Sequence, residues 1–147
     1  MAISFLELAR ETAGAWALGP LRDKQLETLA VLSRGEACFA ALPTGYGKSL
    51  CYQLPAAAWG WRTLVISPLV ALIQDQAYAA EAFGLRVAAW HGGLAPDERG
   101  RLEARMRNGD WQICYLSPER FLSWARGHRA LSLAPGLVVL DEMHCLS

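Results

Sequence analysis

The chain has 147 residues, of which 53% are apolar and 19% are charged, and this composition excludes a disordered chain and is typical of a folded globular protein. A chain of this length can bury one core, so we expect a single domain. Fourteen basic side chains balance fourteen acidic ones, so the net charge does not indicate a polyanionic partner, and any contact with nucleic acid has to come from local placement.

Short apolar segments rich in β-forming residues alternate along the chain with longer segments of helical period. The predicted strands are residues 37–42, 63–67, 86–91, 112–117 and 137–141. The predicted helices are residues 21–33, 48–58, 69–83, 96–108 and 119–127. Apolar strands separated by helices are typical of a parallel sheet that is covered on both faces. The sequence therefore predicts an α/β fold, with a mainly parallel β-sheet flanked by helices.

The cysteines and the amino-terminal residues bear on the cellular compartment. No CxxC pair is formed by the four cysteines, which are Cys38, Cys51, Cys114 and Cys145. Neither a zinc site nor a disulfide framework is indicated, and we expect reduced thiols. The first residues lack the basic head and apolar run of a signal peptide, and no stretch approaches the length of a membrane span. A cytoplasmic protein is therefore expected.

Residues 43–49 read PTGYGKS and lie between a predicted strand and a predicted helix, which is the context of a phosphate-binding loop. Gly45 and Gly47 have no Cβ, so the backbone can turn tightly and point successive N–H groups at an anion. Lys48 is the candidate contact for the β- and γ-phosphates of a nucleotide, and Ser49 the candidate magnesium ligand. The alternative is that the glycines only form a turn before a helix.

The strict form of this loop motif has glycine where the chain has Leu42. The PTGxGKS form resembles the loop of superfamily-two helicases, in which that glycine is not required. In such a loop Thr44 and Tyr46 also belong to the candidate nucleotide site.

An acidic pair, Asp141 and Glu142, follows the apolar run at residues 137–140, where a parallel sheet presents residues to a ligand. Adjacent residues on a strand point in opposite directions, so the two carboxylates can have different functions. Asp141 is the candidate magnesium ligand, mostly through water, and Glu142 the candidate base that activates the attacking water. With His144, residues 141–144 resemble a DExH box, in which the histidine is a candidate for coupling hydrolysis to movement.

Four ordered segments together resemble the RecQ family of ATP-dependent DNA helicases. They are residues 42–56 around the loop, residues 67–76 (SPLVALIQDQ, similar to motif Ia), residues 115–122 (YLSPERFL) and residues 141–147 (DEMHCLS). Met143 replaces the usual alanine of the acidic box. A weaker match, residues 21–25 (LRDKQ), is similar to the adenine-recognition motif, although Trp16, Ala17 and Leu18 stand where relatives often have an aromatic residue before the arginine. Arg22 and Gln25 are three residues apart on a predicted helix and could hold one base edge.

The resemblance implies a first RecA-like lobe that binds ATP and Mg²⁺, in an enzyme that couples ATP hydrolysis to 3′–5′ DNA strand separation in recombination and repair. It implies DNA contacts that read no base sequence, at Pro68, Leu69, Gln74, Gln76, Ser117, Pro118, Glu119 and Arg120. A Ser–Pro pair also simply begins a helix, so capping is the alternative at both places. In a bacterium the protein would be associated with the nucleoid.

The resemblance also implies that residues 1–147 form a lobe that ends just after the acidic box, with the second lobe, zinc-binding and carboxyl-terminal domains lying outside the chain. Because an arginine finger and lobe closure belong to two-lobed enzymes, we expect the chain alone to hydrolyse ATP weakly and not to unwind DNA. We expect no protein partner to be needed for nucleotide binding. Two alternatives remain open, an RNA helicase of the DEAD-box kind and a nucleotide- or DNA-binding module without turnover.

Overall fold

The computed structural model describes residues 3–43, 45–127 and 133–142. They divide into two compact units, Met1–Gly60 and Trp61–Ser147, each described by itself below. Among the described residues, none of the helices combines the length and the apolar character that crossing a membrane requires.

The first unit consists of three helices, α1 (Phe5–Ala15), α2 (Asp23–Ser33) and α3 (Leu50–Ala58). Helix α1 was not predicted, although its signal is present in the sequence as a capping box in which Ser4 and Glu7 exchange hydrogen bonds. The core of the unit is formed by apolar side chains of all three helices, namely Ala9, Ala13, Leu29 and Leu54. Helix α2 begins two residues later than predicted, and α3 likewise, because the residues before them form the caps and the loop.

The second unit is a parallel sheet with helices between its strands. Its elements are β1 (Thr63–Ile66), α4 (Val70–Ala82), β2 (Val87–Ala89), α5 (Pro96–Arg107), β3 (Ile113–Leu116), α6 (Pro118–Arg126) and β4 (Leu137–Leu140). The strand order is β2-β3-β1-β4, and every pair is parallel. The central strands β1 and β3 are fully buried, because helices cover them, and three tryptophans join the core beside them: Trp90, Trp111 and Trp124. The predicted α/β class with a parallel sheet is confirmed.

The prediction of a strand at residues 37–42 is wrong. This segment has no regular secondary structure, it is mostly exposed, and the side chain of Phe39 is 96% exposed. A strand needs a neighbouring strand to receive its backbone hydrogen bonds, and among the described residues no strand pairs with this segment. The sheet of the described residues therefore has four strands and not five.

The last strand also departs from the prediction. Strand β4 lies at an edge of the sheet and alternates between half-buried and exposed residues, with Val138 47% and Leu140 59% exposed. The apolar run in the sequence therefore does not mean that both faces are covered here. Strand β4 ends at Leu140, so Asp141 and Glu142 lie beyond the strand.

Candidate functional site

The phosphate-loop segment forms a tight turn before helix α3. The backbone N–H of Tyr46 donates to the carbonyl of Pro43 at 3.1 Å. Gly45 and Gly47 adopt φ angles of +80° and +85°, a region that side chains with a Cβ rarely occupy. The sequence-based reason for glycine at these positions therefore agrees with the backbone. Thr44, also a candidate, lies outside the described residues.

Gln25 holds this loop from helix α2. Its side chain is 3% exposed, and its amide nitrogen donates to the carbonyls of Tyr46 at 3.1 Å and Gly47 at 2.9 Å. Its amide oxygen accepts from the backbone N–H of Arg22 at 2.8 Å. A Cβ on Gly47 would lie 2.5 Å from the Gln25 amide nitrogen, so glycine is required there for this close approach as well as for the φ angle. Both amide hydrogens of Gln25 thus bind the loop in this structure.

Tyr46 is the second contact between the loop and helix α2. Its hydroxyl accepts a hydrogen bond from the backbone N–H of Lys24 at 3.2 Å. The guanidinium of Arg22 lies over its ring, 4.9 Å from the centroid, which is a cation–π contact. The sequence predicted that Arg22 and Gln25 would share a helix face. Instead, Arg22 is the cap residue before the helix and Gln25 lies in its first turn, and both contact Tyr46.

Lys48 and Ser49 stand where the loop becomes helix α3, and both are half-buried. Ser49 is the cap residue of this helix, yet its hydroxyl makes no capping hydrogen bond. The hydroxyl is therefore not committed to its own helix, which fits a magnesium ligand. Cys51 lies two residues further on, and burial raises the pKa of its thiol to about 11, so the thiol is neutral and unreactive near the loop.

The acidic pair lies in the second unit, immediately after β4. Asp141 is buried, with only 6% of its surface exposed. Its backbone N–H donates to the carbonyl of Ile66 at 2.9 Å, which extends the hydrogen bonding between β4 and β1 by one residue. Glu142 adopts φ of +55°, in the left-handed region. The sequence predicted that the two carboxylates point in opposite directions because they lie on one strand. The strand has already ended before Asp141, and the backbone turns at Glu142 instead. Met143 and the coupling candidate His144 lie outside the described residues.

Gln76 contacts the acidic pair from helix α4. Its amide nitrogen donates to Oδ2 of Asp141 at 3.3 Å, across 65 residues of sequence. Gln76 is half-buried, whereas Gln74 is exposed on the same helix. The sequence grouped both as DNA contacts, and the structure separates them, because Gln76 lies on the helix face that packs inward with Ile73 and Ala77.

Magnesium fits the oxygen atoms that these residues offer, because a hard cation prefers carboxylate and hydroxyl oxygens and retains several waters. The carboxylate of Asp141 accepts a hydrogen bond from the neutral amide of Gln76, and a neutral donor does not offset its negative charge. Among the residues described, no group of three or more His, Cys, Asp or Glu forms a metal cage.

The remaining nucleic-acid candidates lie where β1 and β3 end and the next helices begin. Ser67 is fully buried, and its hydroxyl accepts from the N–H of Leu69 at 3.4 Å, with Pro68 between them. Ser117 caps α6 by accepting from the N–H of Arg120 at 3.3 Å. The capping alternative is therefore confirmed at Ser117, whereas the cap residue of α4 is Leu69 and that helix has no side-chain capping hydrogen bond.

The side chains at the start of α6 differ in their exposure to solvent and in their contacts with the rest of the protein. Pro118 occupies the first helical position, and Glu119 is exposed in the first turn. The guanidinium of Arg120 lies over the ring of Trp90, 5.3 Å from its centroid. The ring fixes the arginine side chain at the end of the sheet, a contact that the sequence did not indicate.

Comparison with known proteins identifies the family. The family described as DEAD/DEAH box helicase matches residues 22–147. The chain is 37% identical to the ATP-dependent DNA helicase RecQ of Synechocystis sp., over 89% of the chain and 28% of the relative. It is also 37% identical to the ATP-dependent DNA helicase Q5 of Mus musculus, over 87% of the chain and 13% of the relative. The chain thus spans less than a third of the length of these relatives.

Solved structures share the fold. The DUF1998 helicase MrfA, crystallised with DNA and AMPPNP, superposes on 99% of the chain and 22% of its own length, with a TM-score of 0.76 and 24% identity. A hypothetical ATP-dependent RNA helicase from Sulfolobus tokodaii superposes on 95% of the chain and 42% of its own length, with a TM-score of 0.74 and 24% identity. At this identity the likeness shows a shared fold alone. The sequence relatives confirm the resemblance to RecQ helicases drawn from the motifs, and the chain belongs to the DEAD/DEAH box helicase family.

Proposed function

We propose that this chain is the ATP-binding part of a RecQ-like DNA helicase that binds single-stranded or partly duplex DNA without reading its sequence. The intact gene product would couple ATP hydrolysis to 3′–5′ strand separation in recombination and repair. The observation that carries the proposal is the phosphate loop, which has two left-handed glycines and is held by hydrogen bonds from the buried amide of Gln25 to the carbonyls of Tyr46 and Gly47. Two relatives that are named ATP-dependent DNA helicases, each 37% identical to the chain, support DNA over RNA.

In this proposal the residues of the loop bind the nucleotide. The backbone N–H groups around Gly45 and Gly47 and the start of helix α3 favour an anion. Lys48 contacts the β- and γ-phosphates, and Arg22 lies at the adenine side. Because Gln25 uses both amide hydrogens on the loop, it positions the phosphate loop, and its contact with adenine requires one of those hydrogen bonds to be exchanged.

The acidic residues supply the chemistry of hydrolysis. Ser49 and Asp141 are the residues that would hold Mg²⁺, which neutralises charge on the phosphates when it is bound with ATP. Glu142 accepts the proton of the attacking water. His144 is the proposed coupling residue. DNA contacts are proposed at Pro68, Leu69, Gln74 and the start of α6.

Substitution of Lys48 tests the nucleotide site. In the intact gene product, Lys48→Ala should weaken binding of a fluorescent ADP analogue about 10- to 100-fold, the effect of losing a hydrogen bond to a charged group. Lys24→Ala is the matched control, because Lys24 is an exposed lysine whose contact to the loop is made by its backbone. Nucleotide binding that is unchanged in Lys48→Ala would contradict the assignment.

The choice of nucleic acid is tested by the ATPase rate of the intact gene product. Stimulation by single-stranded DNA and not by RNA is expected. Stimulation by RNA alone would favour the RNA-helicase alternative, and binding without turnover would favour a regulatory module. The 147-residue chain alone is expected to show weak ATPase activity and no unwinding.

A further inference from the structure

Gln76 is the residue through which helix α4 contacts the acidic box. Helix α4 directly follows β1 and the Ser67–Pro68–Leu69 segment, where DNA contacts are proposed. Its buried residues Ile73, Ala77 and Ala80 recur at helical spacing, and Gln76 falls on the same face. The packing of this face against the sheet directs the Gln76 side chain inward, and its amide reaches Asp141 at 3.3 Å.

The surroundings of Asp141 explain why this contact matters. A carboxylate in a residue that is only 6% exposed requires hydrogen-bond donors, because water no longer supplies them. The backbone N–H of Asp141 is already bonded to Ile66, so the main chain at this point is fixed by the sheet. The amide of Gln76 acts on the side chain itself and fixes one carboxylate oxygen, Oδ2.

The other end of the Gln76 amide is also informative. Its oxygen, Oε1, is buried and has no hydrogen-bond partner among the described residues. An acceptor next to a carboxylate suits the hydrogen atoms of water molecules bound to a metal ion, which point away from the cation. Both ends of the amide therefore suit a residue that lies next to a hydrated magnesium ion, with the nitrogen on the carboxylate and the oxygen available to a metal-bound water.

We propose that Gln76 is a positioning residue that orients Asp141 for Mg²⁺. This inference rests on the proposed function. This role replaces the predicted DNA contact of Gln76, because the Gln76 side chain faces the carboxylate of Asp141.

The test measures how much Mg²⁺ strengthens binding of a fluorescent ADP analogue, by titration in Mg²⁺ and in EDTA. It uses the intact gene product carrying Gln76→Leu or Gln76→Met, which keep a side chain of similar length but remove the donor. We expect affinity in Mg²⁺ to fall about tenfold, as for other residues that orient metal ligands, with affinity in EDTA unchanged. Glu81→Gln, an exposed change on the same helix, is the control and should resemble the wild type.

DNA binding provides the second measurement. The affinity for single-stranded DNA without nucleotide should stay within about twofold of the wild type in a folded Gln76 variant, because in this proposal the Gln76 side chain contacts Asp141 and not a phosphate of DNA. A variant that is folded by circular dichroism and keeps the full Mg²⁺ effect would overturn the inference, as would a loss of DNA affinity alone. If the wild type binds nucleotide equally with and without Mg²⁺, the proposed function is contradicted as well as the inference about Gln76.

Discussion

Substitution of Gly47 by alanine gives the most informative perturbation of the phosphate loop. The new Cβ would occupy a backbone with φ of +85°, which costs about 1–2 kcal/mol for a residue other than glycine. It would also lie 2.5 Å from the amide nitrogen of Gln25, so Gln25 must leave and give up two loop hydrogen bonds of about 1 kcal/mol each. The two effects together come to about 3.5 kcal/mol, or roughly 300-fold in nucleotide affinity if the whole cost falls on the binding-competent loop.

Gly45 provides the matched control within the same loop. Its φ is +80°, but no atom lies within 4 Å of a Cβ placed there, so Gly45→Ala has only the backbone cost and should weaken nucleotide binding about tenfold. Gly35→Ala, at φ of +75° with open space but outside the loop, should lower stability and leave nucleotide affinity unchanged. All three are measured by titration with a fluorescent ADP analogue in the intact gene product.

A double-mutant cycle isolates the contact with Gln25. In a Gln25→Ala background the alanine at Gly47 meets no amide, so its additional cost should fall to about tenfold, and the cycle should give a coupling energy of about 2 kcal/mol. If Gly47→Ala is no worse than Gly45→Ala, or if its cost is the same with and without Gln25, the reasoning that joins the loop to helix α2 is refuted.

Two further predictions concern single side chains. Glu142→Gln should lower ATP turnover of the intact gene product about 10²- to 10⁴-fold, because the general base is lost, while ADP-analogue affinity stays within a few-fold of the wild type; comparable losses in both would contradict its assignment as a base. In peptide-resolved alkylation the exposed Cys38 should react before the buried Cys51. Burial raises the Cys51 pKa to about 11, so the thiolate fraction of Cys51 is about one in a thousand at pH 8 and rises about tenfold per pH unit up to that pKa. An alkylation rate of Cys51 that does not depend on pH in the folded protein would contradict the burial of this thiol.

The parts of the fold that depend on local sequence were predicted well, and the parts that depend on pairing were not. The helix over Pro96–Arg107 has a proline at its start, acidic residues in its first turn and arginines in its last, and these signals suffice to place it. Residues 37–42 are all apolar, but three of them are alanine, which is depleted in strands, and a strand exists only where another strand receives its hydrogen bonds. The residues of the segment itself do not indicate whether such a neighbouring strand exists.

The same distinction applies to the functional residues. The loop glycines follow from the left-handed backbone that any such turn requires, so they could be placed from the sequence alone. The contact between Gln76 and Asp141 joins residues 65 positions apart, and no motif spacing indicates it. A partial signal was nevertheless present, because Gln76 shares the inward helix face with Ile73 and Ala77. A polar residue on an otherwise apolar face requires a buried partner.

Two glutamines have comparable functions in the two units, and the chemistry of the amide explains the choice. Gln25 orients a loop that is proposed to receive phosphates, and Gln76 orients a carboxylate that is proposed to receive a cation. A lysine or arginine in place of Gln76 would form a stronger hydrogen bond, but its charge would offset that of Asp141 and compete with magnesium. An acidic residue in place of Gln25 would supply no donor to the loop carbonyls and would repel phosphate. A neutral amide supplies both a donor and an acceptor and leaves the charge of each site for its ligand.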